Sequence, residues 1–246
     1  MYCFTFEILV ITYSIHIMET LLQLDKDLLI WFNSSHSPFW DVIMMFFTRI
    51  EFWIPFFILV TYQIFKYKSK EAWWWLIGIS LLILFGDLIS NYLFKNILQR
   101  LRPSHEPSLY GIVNLVKAYS GDQFGFVSSH ATAVFAFAIY TSKLFKNNIY
   151  SLFIGIWALL IVYTRLYLGL HYPGDILGGM ALGCGLGYFF YRITRWWVYR
   201  LYPQKPFARY KQVLENSDAG ILIAVVALEM LTISFVALKL LKLGFF

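Results

Sequence analysis

Charged residues are scarce in this chain of 246 residues, because only 14% of them are Asp, Glu, Lys or Arg. Soluble domains carry about 25% charged residues. Hydrophobic residues make up 59% of the sequence and aromatic residues 20%, so we predict an integral membrane protein. The net charge of +6 does not indicate a nucleic-acid partner. Much of that charge falls in loops, where basic residues set the orientation of a membrane protein.

Cysteine and clustered carboxylates are scarce as well. The two cysteines, Cys3 and Cys184, lie far apart in apolar surroundings and match no metal or redox motif. The sequence also lacks a cluster of acidic residues of the kind that holds Mg²⁺ between carboxylates. We therefore predict no metal ion and no other cofactor.

Long apolar runs predict an all-α fold, because isolated strands cannot satisfy their backbone hydrogen bonds in lipid. A transmembrane helix needs about 20 apolar residues. A chain of this length suits one bundle of six transmembrane helices and leaves no room for a second domain. The predicted spans are residues 52–65, 73–94, 131–145, 149–168, 176–199 and 219–243.

The N-terminal part of the chain differs from these runs. Residues 1–17 are apolar but short, and they lack the positively charged start of a signal peptide. We interpret them as an N-terminal extension ahead of a start at Met18. Residues 18–51 are predicted to form interfacial amphipathic helices, because leucines and aromatic residues alternate with polar ones such as Asp25. The six-helix membrane domain then covers residues 52–246.

Three polar blocks interrupt the apolar sequence at the edges of the predicted spans, within residues 87–180. They are Lys95 with Arg102 and Pro103, then Ser128, Ser129 and His130, then Arg165 with His171 and Asp175. Phosphoryl transfer requires neutralisation of the non-bridging oxygens, a nucleophile, and an acid for the leaving oxygen. The blocks contain residue types for all three tasks.

The basic and hydroxyl side chains suit phosphate binding. Arg102 and Arg165 can each hold phosphate oxygens through two parallel hydrogen bonds, and Lys95 adds a point charge. Ser128 and Ser129 stand just before an apolar helix, where hydroxyls and free backbone N–H groups favour an anion. We expect these five residues to bind phosphate.

The histidines suit the other two tasks. Asp175 follows His171 by four residues across a Pro-Gly turn. A carboxylate bonded to one ring nitrogen makes the other nitrogen a better base or nucleophile, so we predict His171 as the nucleophile. His130 has no such carboxylate nearby in sequence and is left to protonate the leaving oxygen.

The orientation of the predicted bundle follows from the loop cations. The connections after the first, third and fifth spans carry most of them, such as Lys66, Lys68 and Arg209. The basic side of a membrane protein is normally cytoplasmic. The polar blocks fall at the opposite ends of the spans, so we predict a site that faces the periplasm or the cell exterior from a bacterial inner membrane.

The spacing of the first and third blocks resembles that of the type 2 phosphatidic acid phosphatase (PAP2) superfamily. Lys95 to Pro103 reproduces the K-x6-R-P block of that family, and Arg165 to Asp175 reproduces its R-x5-H-x3-D block. The middle block departs from the family's P-S-G-H, since Val127 and Ser129 replace its proline and glycine. Glycine allows a close backbone approach to phosphate, so Ser129 is where we expect this chain to differ.

The resemblance implies a six-helix fold and hydrolysis of a lipid phosphate in the bilayer. The implied substrates are undecaprenyl diphosphate, phosphatidylglycerol phosphate, phosphatidic acid and lipid A phosphates. The implied roles are a covalent phosphohistidine on His171 partnered by Asp175, acid catalysis by His130, and phosphate binding by Lys95, Arg102, Ser128 and Arg165.

Each of these residues taken alone also fits a simpler role. Lys95 and Arg102 could be interfacial anchors, and the segment from His171 to Asp175 could be a plain turn. A membrane transporter or scaffold could contain intramembrane charges. A vanadate-dependent haloperoxidase shares the superfamily's site but is a soluble oxidoreductase. Neither alternative class accounts for both the apolar spans and the paired histidines.

Overall fold

The computed structural model describes residues 2–203 and 214–245, and this part of the chain is helical without a β-strand. The α-helices are α1 (Tyr2–Phe32), α2 (Pro38–Phe47), α3 (Ile54–Lys68), α4 (Ala72–Leu88), α5 (Asn96–Leu98), α6 (Ser129–Phe145), α7 (Asn148–Tyr167), α8 (Pro173–Leu201) and α9 (Asn216–Lys242). A π-helical segment, Ile89–Lys95, joins α4 to α5.

Polar caps begin several of these helices where the apolar sequence gives little indication of a boundary. Ser37 caps α2 by accepting a hydrogen bond from Trp40 N, and Pro38 occupies the first turn. Asn147 caps α7 in the same way through Tyr150 N. Such caps satisfy backbone N–H groups that have no partner within the helix.

Among the described residues, four helical stretches are long and apolar enough to cross a membrane by length and composition: Ile50–Leu98, Asn148–Tyr167, Pro173–Leu201 and Asn216–Lys242. The first contains two of our predicted spans. It bends at Ser69, whose φ of 52° lies outside the helical region. Residues of α3 and α4 then line one cavity together, as Phe57 and Ile83 do, so the two helices form a hairpin. Our predicted span 131–145 corresponds to α6, which is 17 residues long.

Helices α6 and α8 pack in close contact through a row of glycines on α8. A Cβ atom added at Gly179 would lie 2.6 Å from Ser128 O, and one at Gly187 would lie 2.5 Å from Ala136 O. Gly183 meets the carbonyl of Thr132 in the same way. Small residues spaced by four allow helix backbones to approach closely in membranes. This packing brings the first turn of α6 next to the first turn of α8.

Helix α1 runs without interruption through Met18, where we expected a boundary between an extension and an interfacial helix. The residue that follows it, Asn33, is 2% exposed and donates to Tyr167 O at 2.6 Å. Asn114 N donates to Asn33 Oδ1 at 2.7 Å. The C-terminal end of α1 is therefore attached to α7 and to the loop that precedes α6.

Candidate active site

The two ends of the polar loop between α5 and α6 are paired with each other. Arg102 N donates to Gln123 O at 3.0 Å, and Gly125 N donates to Arg100 O at 2.8 Å. The Arg102 side chain reinforces this pairing, because its Nε donates to Phe124 O at 3.1 Å. The loop thus returns to its starting point, and the first polar block lies beside the second.

A backbone hydrogen bond joins the second block to the third. Ser128 N donates to Asp175 O at 3.1 Å. Ser128 also caps α6, since its Oγ accepts from Ala131 N at 3.4 Å. All three blocks, which are separated in sequence by a loop and two helices, therefore meet at one end of the bundle.

The three predicted phosphate-binding cations are buried here. Lys95, Arg102 and Arg165 are 6%, 4% and 2% exposed. Asp122 Oδ2 lies 3.8 Å from Lys95 Nζ and 3.5 Å from Arg102 Nη2. Arg165 Nη1 donates to Thr48 Oγ1 at 2.5 Å, while its Nε has no partner within the described residues. Buried charge is costly without compensation, so this group of cations favours an anionic ligand.

A row of side chains on one helix face holds Lys95. Lys95 Nζ donates to Asn91 Oδ1 at 2.5 Å, and Asn91 Nδ2 donates to Asp87 Oδ1 at 2.5 Å. Each residue lies four positions from the next, which places them on the same face of a helix. Asp87 therefore acts here as a structural partner that orients Asn91 toward Lys95.

His171 is completely buried. Its Nδ1 lies 3.4 Å from Asp175 Oδ2, and neither ring nitrogen completes a hydrogen bond of good geometry within the described residues. Burial lowers the pKa of His171 well below its ordinary value, and the charges of Arg102, Arg165 and Lys95 lower that pKa further. The ring is therefore neutral near pH 7 and retains the lone pair that a nucleophile needs.

Asp175 is also completely buried, and two donors other than His171 fix its carboxylate. Tyr172 N donates to Oδ2 at 3.0 Å, and Arg100 Nη1 donates to Oδ1 at 2.9 Å. We predicted Asp175 as the partner of His171, and the two side chains are adjacent. Arg100 is the closest side-chain donor to this carboxylate among the described residues, although it lies outside the three polar blocks.

The middle block forms the first turn of α6. Ser128 is completely buried, whereas Ser129 and His130 are half-buried. Ser129 is helical, and the described non-glycine residues with positive φ do not include it. This backbone conformation does not require the family glycine. The ring of His130 is within electrostatic reach of His171 and of all three cations.

An apolar cavity adjoins the first turn of α6. Its volume is about 580 Å³, within the size range of small-molecule sites. The cavity runs along α6 from Ser129 and His130 to Phe137, a rise of about 12 Å. Its other walls come from α3, α4 and α7, including Phe57 and Trp157. A hydrocarbon chain lying in this cavity would end beside His130.

Several residues at the site had no signal in the sequence. Thr48 binds Arg165 from the end of α2, and Asp122 approaches Lys95 and Arg102 from the loop. Tyr119 also lies within electrostatic reach of the guanidinium of Arg165. They lie outside the three blocks, and their types are ordinary for a loop or a helix end. Only the folded structure, which brings the end of α2 and the loop next to the polar blocks, identifies them.

Buried cations around a neutral, buried histidine at one end of an apolar helical bundle define a helical membrane phosphatase. The chain matches the model of the PAP2 superfamily over residues 73–199. The chain belongs to the PAP2 superfamily and is a membrane lipid phosphatase, which confirms the resemblance seen in the polar blocks. This result favours a phosphatase over the transporter, scaffold and haloperoxidase alternatives.

Individual relatives support the same class. The chain is 39% identical over 191 residues to a lipid A 4'-phosphatase of Bacteroides thetaiotaomicron, covering 77% of this chain and 85% of that protein. It is 31% identical over 185 residues to a lipid A 4'-phosphatase of Porphyromonas gingivalis, covering 73% and 78%. Its fold is similar to the crystal structure of a transmembrane PAP2-type phosphatidylglycerolphosphate phosphatase from Bacillus subtilis, with a TM-score of 0.54. The two sequences are 20% identical, and the match covers 76% of this chain and 89% of that one.

Proposed function

We propose that this enzyme removes a phosphate group from a lipid A-type glycolipid, with His171 as the nucleophile. The observation that carries the chemistry is the burial of Lys95, Arg102 and Arg165 around His171. The similarity to two lipid A 4'-phosphatases supports the choice of substrate among the envelope lipids. Undecaprenyl diphosphate, phosphatidylglycerol phosphate and phosphatidic acid are the alternatives that a lipid panel discriminates.

The proposed reaction has two steps. Nδ1 of His171 faces Asp175, so Nε2 attacks phosphorus; the P–Nε2 bond forms as the ester P–O bond breaks. His130 gives its proton to the departing sugar oxygen. Water then attacks phosphorus while His130 takes a proton from it, and inorganic phosphate leaves as the P–N bond breaks. Lys95, Arg102, Arg165 and the hydroxyls of Ser128 and Ser129 stabilise the charge on the non-bridging oxygens throughout.

The apolar cavity supports a substrate with a hydrocarbon chain. Its walls are mostly aliphatic and aromatic, and His130 stands where the cavity meets the polar site. Each methylene moved from water into such surroundings contributes about 0.8 kcal/mol. A chain in this cavity would place the attached phosphate beside the cations, and a soluble phosphate ester would lack this contribution.

We also propose six crossings, with the site outside the cytoplasm. The hairpin of α3 and α4 supplies two crossings, and α6 supplies one more in addition to α7, α8 and α9. Lys68 and Lys146 lie within electrostatic reach of each other at the end opposite the site. That basic end would be cytoplasmic, so the site would face the periplasm from the inner membrane. Arg209, one of the loop cations that predicted this orientation, lies outside the described residues.

The domain boundaries remain part of this proposal. Residues 52–246 would form the phosphatase bundle around the motif core of residues 87–180. Residues 18–51 would lie at the membrane interface. N-terminal sequencing of the native protein would test whether residues 1–17 belong to it, because a first residue of Met1 or Tyr2 contradicts a start at Met18.

A phosphate-release assay on purified envelope lipids tests the function. We expect release from lipid A at the 4' position, located by mass spectrometry of the product, and little release from the other lipids. His171→Ala should abolish release while the purified protein keeps its helical circular-dichroism spectrum. Preferred release from another lipid would overturn the substrate, and release by His171→Ala would overturn the nucleophile.

A further inference from the structure

Arg100 connects the active site to the first helix of the chain. Its Nη1 donates to Asp175 Oδ1 at 2.9 Å, and its Nη2 donates to Asp25 Oδ2 at 2.6 Å. The guanidinium lies over the ring of Tyr172, 4.2 Å from its centroid. One side chain thus bridges a carboxylate on α1 and the carboxylate beside His171.

Asp25 also contacts the active-site turn directly. Its Oδ1 accepts from Gly174 N at 2.7 Å. Gly174 lies in the first turn of α8, where a backbone N–H has no partner within the helix. A Cβ atom added at Gly174 would lie 2.8 Å from Asp25 Oδ2 and 3.3 Å from Arg100 Nη1. The turn that carries His171 and Asp175 is therefore fitted closely around the Asp25 carboxylate.

The charges of Asp25, Arg100 and Asp175 explain why Arg100 binds two carboxylates. Arg100 beside Asp175 alone would form a neutral pair, in which Asp175 is turned toward a cation and away from His171. Asp25 binds the guanidinium through Nη2, so Asp25, Arg100 and Asp175 together carry a net charge of −1. Asp25 also fixes the guanidinium plane, because both of its oxygens have defined partners, Arg100 and Gly174. The Asp175 carboxylate is left with one oxygen aimed at His171.

We propose that Asp25 is a positioning residue for the phosphatase reaction, acting through Arg100 to hold Asp175 against His171. This inference rests on the proposed roles of His171 and Asp175. It makes the last turns of α1 a part of the catalytic unit.

A comparison of two aspartates on one helix provides the test. Asp27 lies on α1 two residues from Asp25, is exposed, and accepts only from Gln23 Nε2, at 2.9 Å, among the contacts described for its side chain. We expect Asp25→Asn to lower kcat by about 10- to 100-fold, the range typical of residues that orient a reacting group from outside it. KM should change by less than about threefold, and Asp27→Asn should match the wild type.

A double-mutant cycle separates positioning from anchoring. Arg100→Gln should lower kcat, and Asp25→Asn should have little further effect in the Arg100→Gln background, because both act through one bridge. Asp25→Glu should restore part of the lost kcat. Additive losses in the cycle would overturn the proposal, as would an Asp25→Asn enzyme that matches Asp27→Asn.

Two further variants, Arg100→Lys and His171→Ala, allow for a folding failure and for an error in the proposed site. If Asp25→Asn does not fold, Arg100→Lys is tested in its place. Lysine keeps the positive charge but cannot bridge both carboxylates in one plane, so kcat should fall. An unchanged kcat in Arg100→Lys would overturn the proposal. His171→Ala serves in parallel. Activity in His171→Ala would indicate that the proposed site itself is wrong, whereas an inactive His171→Ala with a fully active Asp25→Asn would reject the Asp25 role alone.

Discussion

The carboxylate of Asp175 lies 3.4 Å from Nδ1 of His171, while stronger hydrogen bonds from Tyr172 N and Arg100 hold its two oxygens. Asp175 is thus fixed by the protein before substrate binds. A small movement of the His171 ring would close the remaining hydrogen bond. Catalytic hydrogen bonds are often long without substrate and tighten during reaction.

Asp175→Asn tests the consequence of this arrangement. An amide can still accept from one of the two donors, but it carries no charge to stabilise a positive His171 during attack. We expect kcat to fall by about 10³- to 10⁴-fold, as for other carboxylate partners of catalytic histidines, with KM nearly unchanged. Steady-state phosphate release measures both constants. A loss confined to KM would show that Asp175 serves binding instead.

The environment of His171 predicts the acid limb of the pH profile. Burial, then Arg102, Arg165 and Lys95, lowers the pKa of His171 well below its ordinary value. The neutral, nucleophilic form therefore persists as the pH falls through about 6.5, the ordinary histidine pKa. We expect the acid limb of kcat/KM that belongs to His171 to lie below that pH. Arg102→Gln removes one cation, so the limb should move to higher pH in the residual activity; a limb that stays in place would contradict this assignment.

The lowered pKa of His171 also makes the stability of the folded protein depend on pH. The unfolded chain takes up a proton on His171 as the pH falls below about 6.5, and the folded chain does not. The neutral buried ring therefore destabilises the folded state at acid pH and has no such effect above the ordinary pKa. The Tm of the wild type should fall more steeply below that pH than the Tm of His171→Phe, measured in the same detergent.

The carboxylate of Asp122 should weaken the binding of phosphate at the site. Its carboxylate lies near Lys95 and Arg102, although its side chain is 82% exposed, so it competes weakly with a bound phosphate. An exposed charge at about 4 Å is worth about 1 kcal/mol in water. Asp122→Asn should therefore lower the inhibition constant of inorganic phosphate by up to about fivefold. Asp122→Glu is the matched control and should stay near the wild type; an unchanged constant in Asp122→Asn would show that Asp122 does not compete.

Chelation separates protein cations from a metal ion as the source of phosphate binding. Lys95, Arg102 and Arg165 already supply the positive charge that a metal would add. We expect phosphate release to survive dialysis against EDTA with kcat unchanged. Recovery of a lost activity on adding back Mg²⁺ would contradict our prediction that no metal is needed.

The local parts of the site could be predicted from the sequence, and its long-range parts could not. The three polar blocks can be recognised in the sequence, because charged residues in apolar segments cost free energy unless they have a role. The spacing of the first and third blocks also matches the family. The bridge from Asp25 to Asp175 through Arg100 spans 75 residues on either side of Arg100. Asp25 belongs to an ordinary polar face of a helix, so nothing local distinguishes it from Asp27. Such contacts depend on how helices pack.

Helix boundaries show the same limit. Lys95 was expected just beyond a regular helix, but a π-helical segment carries it into the buried site. Such segments leave no clear periodic signal and often occur at functional sites. The uninterrupted α1 was likewise hidden by the mixed polarity of its two halves. The local sequence pattern located the apolar segments, whereas the packing of the helices determines where each helix begins and ends.

The glycine row of α8 predicts the cost of disturbing the bundle that supports the site. Gly183 lies against the Thr132 carbonyl and 3.1 Å from Ala136 N, measured from an added Cβ. Gly183→Val should force α6 and α8 apart and destabilise the fold by about 1–3 kcal/mol, the usual cost of overpacking. Gly185→Val is the matched control on the same helix, because an added Cβ there has no neighbour within 4 Å in the described structure. Thermal unfolding in detergent should show a lower Tm for Gly183→Val alone. Equal Tm values would mean that α6 and α8 can separate freely, and the fixed position of His130 relative to His171 would lose its structural basis.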